Sequence, residues 1–420
     1  MNATQKNDSL EHIFRHEYGK IVAILVHKFG ATHLEKIEDV VQDAFLKAMQ
    51  VWGYKEVPKN PTAWLLRVAN NGLIDIFRRE QKVHKHDGIY DLMSELSDVD
   101  KEVSLDTTVN DSQLKMIFAC CNPSLPTESQ IILSLKLIGG FSNKEISRAL
   151  LKKEDAVAKS FTRAKKKFKE SIKTLDIPVE MGLSSRISIV LKVIYLLFTE
   201  GYTASTGAVI IKRDICYEAI RLALLLLENK TTNISETHAL IALMCFHTAR
   251  FDARIDDQNE LIDLEHQDRK LYNKELIQIG MGHLYDSKEN PSNNPSYYLQ
   301  AAVSYYYCEA SSFKNIAWKK ILKLYDLQLK YVNSPIVRLN RIVPLYKFYG
   351  LKIGLETLVT MNREGALKKN ALFYSLKAQI LNELGKEEEA KKELLVAIDL
   401  TKNELQKKHL QRKMIKMSSK

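Results

Sequence analysis

The sequence predicts an all-α protein on three observations. Apolar residues recur every three or four positions in nearly every segment long enough to judge, whereas alternating strand patterns are scarce. Helix-start signals also precede several periodic stretches, among them Pro61 and the pair Ser142 and Glu145. With 420 residues, 45% of them hydrophobic, the chain has material for two or three globular domains.

The first block runs over about residues 9–80. Its first helix carries Ile13, Ile21, Leu25 and Phe29 on one side. The second, "IEDVVQDAFLKAMQVW", has an apolar stripe of Ile37, Val40, Val41, Ala44, Phe45 and Ala48. Glu38, Asp39, Gln42 and Asp43 cluster at its start, where the helix dipole stabilises acids. In the third helix Trp64, Leu65, Val68 and Leu73 face inward, and Arg67, Asn70, Asn71, Arg78 and Arg79 face outward. Aromatics interleaved with Arg and Asn suit stacking on unpaired bases, while a lone Trp reads equally as a core anchor.

Between residues 81 and 111 the rhythm lapses into a mostly acidic linker. Helix resumes at "SQLKMIFACC", breaks at Pro123 and Pro126, and continues through "ESQIILSLKLIGG" into a helix-turn-helix over residues 141–168. There the Ser142 hydroxyl and Glu145 carboxylate are spaced as a capping box. The second helix of the pair starts near Glu154 and buries Val157, Phe161, Ala164 and Phe168. Its other face presents Lys159, Ser160, Thr162, Arg163, Lys166 and Lys167, donors suited to phosphates and to base edges in a major groove. A plain helical hairpin with a solvated lysine face has the same pattern.

After Pro178 the chain is again helical. Residues 371–402 place Ala378, Leu381, Gly385, Ala390, Leu394 and Ala397 at the small and large positions of a hairpin of tetratricopeptide type. Earlier hairpins fall around "SYYLQAAVSYYYCEA" with "AWKKILKLYDLQL" and "RLNRIVPLYKFYG" with "LKIGLETLVTMN". Stacked hairpins form a solenoid that binds peptides or proteins, and Tyr297, Tyr298, Tyr305, Tyr306 and Tyr307 either line it or fill its core. "LEHQDR" reads as a buried polar network joining neighbouring hairpins.

The charge balance, 62 Lys and Arg against 51 Asp and Glu, suits a polyanion partner. Five cysteines show no CxxC pair or zinc-ligand spacing, which favours a reducing cytoplasm, and no metal or cofactor is expected. The N-terminus lacks an apolar secretory core, and no apolar stretch is long enough to span a bilayer, so no membrane association is expected. Without a nucleophile set or glycine-rich phosphate loop, the chain does not read as an enzyme.

The order of "EDVVQDAF", "AWLLRVANNGLIDIFRR", an acidic linker and a helix-turn-helix resembles bacterial sigma factors of the extracytoplasmic-function (ECF) group of the sigma-70 family. The resemblance implies a region 2 domain over 1–80, a linker over 81–111, a region 4 domain over 112–180 and an extension over 181–420. Asp39, Gln42, Asp43 and Phe45 would then dock on the clamp helices of the polymerase β′ subunit, with region 4 reaching the β flap. Trp64, Arg67, Asn70, Asn71, Arg78 and Arg79, with Tyr54 and Lys59 of the preceding loop, would contact the minus-ten DNA. Lys159, Ser160, Thr162, Arg163, Lys166 and Lys167 would read the minus-thirty-five element. The acidic linker would lie along the nucleic-acid channel of the polymerase until RNA displaces it.

The segments "FACCNPSL", "VIYLLFTEGYTASTG", "ALMCFHTAR", "LEHQDR" and "SPIVRLNR" resemble a subgroup with a large helical extension of tetratricopeptide type. That resemblance implies a cytoplasmic initiation factor regulated or supported by its extension, which would have a protein or peptide partner. The sequence departs from the family at Asn70 and Ser160, where basic residues are frequent, and at Asn122, where a histidine is usual. Two other readings stay open: a helix-turn-helix regulator with a helical sensing domain, and a protein-binding helical scaffold.

Overall fold

Helix α1 (Ala3–Phe29) ends where Gly30 takes a φ of 89°, a left-handed conformation that favours glycine. One short 3-10 turn over Ala31–His33 then leads into α2 (Leu34–Tyr54). Helix α3 (Pro61–Val83) begins with the Asn60 side chain accepting from the Ala63 amide at 3.0 Å. Pro61 stands as its first residue, where a missing N–H costs nothing. In the computed structural model, residues 3–54, 57–83, 105–150, 152–172, 175, 180–202, 211–256, 260–289, 294–362, 367–401 and 404–418 are described. Most of the expected linker, residues 84–104, lies outside them.

The stripe of α2 predicted from the sequence is buried, from Ile37 to Ala48, and α2 packs on α1 and α3, whose own buried residues include Ile21, Val22 and Leu25, and Leu65, Ala69 and Leu73. Helix α1 also receives α4 (Leu105–Cys120) and α5 (Thr127–Leu137). Gly19 makes this approach possible, since a Cβ there would stand 2.1 Å from the Ile138 carbonyl oxygen. Helix α4 begins inside the expected linker, which is therefore shorter than its composition implies.

Helices α6 (Asn143–Ala149) and α7 (Glu154–Ser171) form the helix-turn-helix. The capping box forms: Ser142 Oγ accepts from the Glu145 amide at 3.2 Å, and Glu145 Oε2 accepts from the Ser142 amide at 2.9 Å. The buried residues of α7 are Val157, Phe161, Ala164 and Phe168, the four expected.

The chain divides into two compact units, residues 1–200 with 217–232, and residues 201–216 with 233–420. The first unit thus extends beyond the 180/181 border read from the sequence. Within it, Arg186 at the start of α8 (Glu180–Tyr202) donates to the Phe118 carbonyl at 3.4 Å. Arg221 of α9 (Arg213–Leu227) donates to Gln113 at 2.7 Å, so both helices are fastened to α4.

The second unit continues with α10 (Ser235–Thr248), α11 (Phe251–Arg254), α12 (Lys274–Glu289) and α13 (Ser296–Glu309). Then come α14 (Trp318–Tyr331), α15 (Pro335–Tyr349), α16 (Leu351–Asn362), α17 (Ala371–Glu383), α18 (Glu387–Leu400) and α19 (Glu404–Ser418). From α12 onward each helix packs on the next, the nearest-neighbour stacking of a helical solenoid. Gly385, at φ 75°, turns the chain between α17 and α18, over which Ala378, Leu381, Ala390, Leu394 and Ala397 are buried.

In "LEHQDR" the joining residues are Gln267 and Arg269. Gln267 accepts from Arg250 at 3.1 Å and from the Tyr272 hydroxyl at 2.9 Å, while Arg269 donates to the carbonyls of Tyr307 and Ala310. Glu265 and His266 are exposed instead. Tyr297, Tyr298, Tyr305, Tyr306 and Tyr307 are all half-buried. Among the described residues there is no β-strand, only a bridge between Ile255 and Leu261, and no helix is long and apolar enough to cross a membrane.

Candidate nucleic-acid interface

On α2 the side chains of Asp39, Gln42 and Asp43 are exposed. The same helical face continues into Leu46 and Met49, which are 57% and 50% exposed, so acids grade into an unpartnered apolar strip. Phe45 points the other way. It is buried, with its ring 4.6 Å from that of Phe14, and belongs to the core and not to a docking surface.

Helix α3 presents Arg67, Asn71, Arg78 and Arg79 to solvent, with Lys59 exposed just before it. Asn70 is half-buried and accepts from Lys28 Nζ at 3.3 Å. Trp64 is half-buried too, its ring 5.2 Å from that of Trp52. Trp64 thus packs on the buried Trp52 while part of its own side chain stays accessible. The side chain of Tyr54 lies outside the described residues.

On α7 the expected donors Lys159, Thr162, Arg163, Lys166 and Lys167 are exposed and Ser160 is half-exposed. A different pair of lysines points back into the first unit. Lys165 Nζ lies 2.7 Å from Glu38 Oε2, and Lys169 Nζ lies 3.0 Å from Glu35 Oε1. The hydrogen bond from Lys169 lowers the Glu35 pKa below the ordinary carboxylate value. Lys136, partly buried near the same spot, has its pKa lowered by burial, against the pull of Glu38. One side of α7 is thus pinned to the start of α2, and the other is a free cationic face.

Comparison with known proteins finds three matching stretches of the chain. Residues 13–83, spanning α1 to α3, match the family model of sigma-70 region 2, and residues 115–168, spanning α4 to α7, match that of sigma-70 region 4. Residues 186–288 match a family of unknown function, DUF6596. A protein of Rhizobium meliloti (strain 1021), described only as uncharacterized, is 31% identical over 374 residues, 88% of this chain and 87% of that one. The chain belongs to the sigma-70 family. It is an ECF-type sigma factor with a C-terminal helical extension, and no solved structure matches it.

As a sigma factor it binds core RNA polymerase and promoter DNA, takes part in promoter recognition, and is not an enzyme. Leu46 and Met49 are members of its exposed α2 face that the sequence reading missed. Both are apolar residues off the buried stripe of an amphipathic helix, and that was the available signal. The pairing of Glu35 and Glu38 with Lys169 and Lys165 has no local sequence signal, because it spans more than a hundred residues, 127 in the case of Lys165 and Glu38.

Proposed function

We propose that this sigma factor docks Asp39, Gln42 and Asp43, with Leu46 and Met49, on the clamp helices of the polymerase β′ subunit. The observation that carries this reading is one contiguous exposed face on α2 that is acidic at one end and apolar at the other. It complements a basic helix with an apolar flank. Lys59, Arg67, Asn71, Arg78 and Arg79 hold the minus-ten DNA, with the half-buried Trp64 beside them, and capture of an extruded base offsets a few kcal/mol of unstacking. Lys159, Thr162, Arg163, Lys166 and Lys167 hold the minus-thirty-five element through phosphates and major-groove edges.

The two DNA elements lie about 25 base pairs apart, or about 85 Å at 3.4 Å per step. Regions 2 and 4 packed together through α1, α2 and α7 cannot span that distance. Release of the contacts of Lys165 and Lys169 therefore precedes simultaneous reading of both elements, and polymerase docking on α2 is the natural trigger. The helical extension regulates or supports this step. Its surface includes a cavity of about 200 Å3 lined by Tyr297, Tyr298, Leu327 and Tyr331, suited to an aromatic or apolar peptide side chain.

Run-off transcription with core polymerase on a library of promoter fragments tests the reading. Transcripts from the wild type, and none from an Asp39→Ala, Asp43→Ala variant, are expected. If neither initiates while both bind DNA, the regulator reading replaces it. A chain ending after Thr232 that transcribes as the full chain does under every condition would remove the role given to the extension.

A further inference from the structure

We propose that His238, His283 and Asp286 form a binding site for a divalent first-row transition metal ion that bridges α10 and α12. This site lies in the second unit and does not depend on the polymerase or promoter contacts proposed above.

The three side chains come from two packed helices. His283 and Asp286 stand three residues apart on α12 and so share one face, which lies against the first turn of α10, where His238 sits. His238 Nδ1 and His283 Nδ1 are 2.9 Å apart, and Asp286 Oδ2 is 3.5 Å from His238 Nδ1. The three donor atoms all lie within 4.8 Å of one another.

The tautomer of His238 is set from behind. Its Nε2 is 2.8 Å from Asn233 Oδ1, an oxygen that can only accept, so Nε2 carries the proton and Nδ1 offers its lone pair to the centre. Two Nδ1 atoms in contact share one proton, which His283 donates. An ion takes the place of that proton, and His283 keeps neutrality by carrying its own proton on Nε2.

The chemistry of the set fits a borderline cation. Two half-buried imidazole nitrogens and a carboxylate oxygen are ligand types that such ions take. Asp286 is exposed and supplies a negative charge and a solvent-side entry. A nitrogen pair at 2.9 Å already suits adjacent positions of a six-coordinate ion. A tetrahedral ion with bonds of about 2.0–2.1 Å needs the pair opened to about 3.3 Å. Two histidines and one carboxylate leave further positions for water, as in open sites for zinc or iron(II).

The scaffold is held on both sides of the cluster. Gly280, one turn before His283, lies directly against the Phe246 ring of α10, where a Cβ would meet the ring at 2.8 Å. Ser235 Oγ donates to the Ser287 carbonyl at 2.7 Å. The ligands therefore sit on rigid elements, and an ion would fasten the two helices further. All five cysteines are buried, so thiolates do not compete for it.

Titration of the full chain with cobalt(II), read by visible absorption and reversed by zinc(II), tests the proposal. One equivalent is expected to produce a saturable band. Asp286→Asn and His283→Gln each weaken it at least about tenfold, and Asn233→Ala, which removes the partner of His238 Nε2, weakens it by about 10–100-fold. Zinc also raises the Tm of the wild type but not of the His238→Ala, His283→Ala variant. The chain has 11 histidines, so a band that survives undiminished in that variant assigns the ion elsewhere and overturns the proposal. Absence of any band up to millimolar cobalt overturns it too, leaving a hydrogen-bonded histidine pair. If the double variant loses helix content by circular dichroism, the exposed Asp286→Asn variant decides, and full affinity there overturns the site.

Discussion

Lys165 Nζ on α7 meets Glu38 Oε2 on α2 at 2.7 Å, with only 18% and 8% of the two side chains exposed. Glu38 also accepts from the Tyr18 hydroxyl at 3.5 Å, so its charge is held from α1 as well as from α7. One bond thus joins the helix assigned to the minus-thirty-five element to the helix assigned to the polymerase.

A double-mutant cycle of Glu38→Gln and Lys165→Ala is expected to give a coupling energy of about 0.5–3 kcal/mol. The outer pair, Lys169 with Glu35, is more exposed and should couple by less than about 1 kcal/mol. Unfolding of the first unit can be followed by Trp52 and Trp64 fluorescence once Trp318, in the second unit, is replaced by Phe. Strict additivity at Glu38 and Lys165 would mean that the contact does not hold region 4 on region 2.

The exposed face of α2 is expected to separate binding from stability. Asp39→Ala with Asp43→Ala, and separately Leu46→Glu, should abolish capture of core polymerase while changing stability by no more than about 0.5 kcal/mol. Pull-down with purified core enzyme and denaturant unfolding of the same samples measure the two quantities. Capture that survives both variants moves the docking surface away from this face.

Phe45 should behave in the opposite way. Its ring is buried against Phe14, so Phe45→Ala is expected to destabilise the first unit by about 3–5 kcal/mol. Any polymerase capture it loses should return in Phe45→Leu, which keeps most of the apolar volume. A stable Phe45→Ala protein that fails to bind would restore Phe45 to the docking surface.

How far these roles were legible depends on range along the chain. Val157, Phe161, Ala164 and Phe168 were read correctly because helical periodicity is a local property, and the Ser142 capping box because it closes over three residues. Phe45 appeared in the apolar stripe and also among the docking residues. The stripe described its side chain correctly, whereas the family pattern supplied a segment and not a direction. The contact of Lys165 with Glu38, and that of His238 with His283 across 45 residues, needed the packing of helices that no local pattern specifies. Gly19 is a similar case, since only the approach of Ile138 explains why a side chain is excluded there.

Arg163 is exposed on the free face of α7 and is expected to contact DNA directly. If it reads a base, Arg163→Ala should cost about 1–3 kcal/mol and relax specificity at one promoter position. If it contacts phosphate, affinity should fall alike on all sequences, and the slope of log K against log salt should drop by about one. Binding titrations of matched and mutated minus-thirty-five fragments at several salt concentrations separate the two. Unchanged affinity and slope would place the DNA on another surface.

His247, buried on α10 with its ring 4.7 Å from that of Tyr202, is expected to give the second unit a pH-dependent stability. Burial, and then the charges of Arg250 and Arg254, pull its pKa down from 6.5 to about 3. Between these values the unfolded chain binds the proton that the folded chain refuses, so stability is full above the unfolded value and falls as the pH drops through this window. The slope for one such group is at most about 1.4 kcal/mol per pH unit. His247→Gln should lose that dependence, so the stability difference between wild type and variant should shrink or reverse from about pH 7 to about pH 4. Unfolding followed through Trp318, with Trp52 and Trp64 replaced by Phe, measures it. A difference constant across that range would show that the imidazole stays uncharged in both states or charges in both, and the burial of His247 would then carry no cost on acidification.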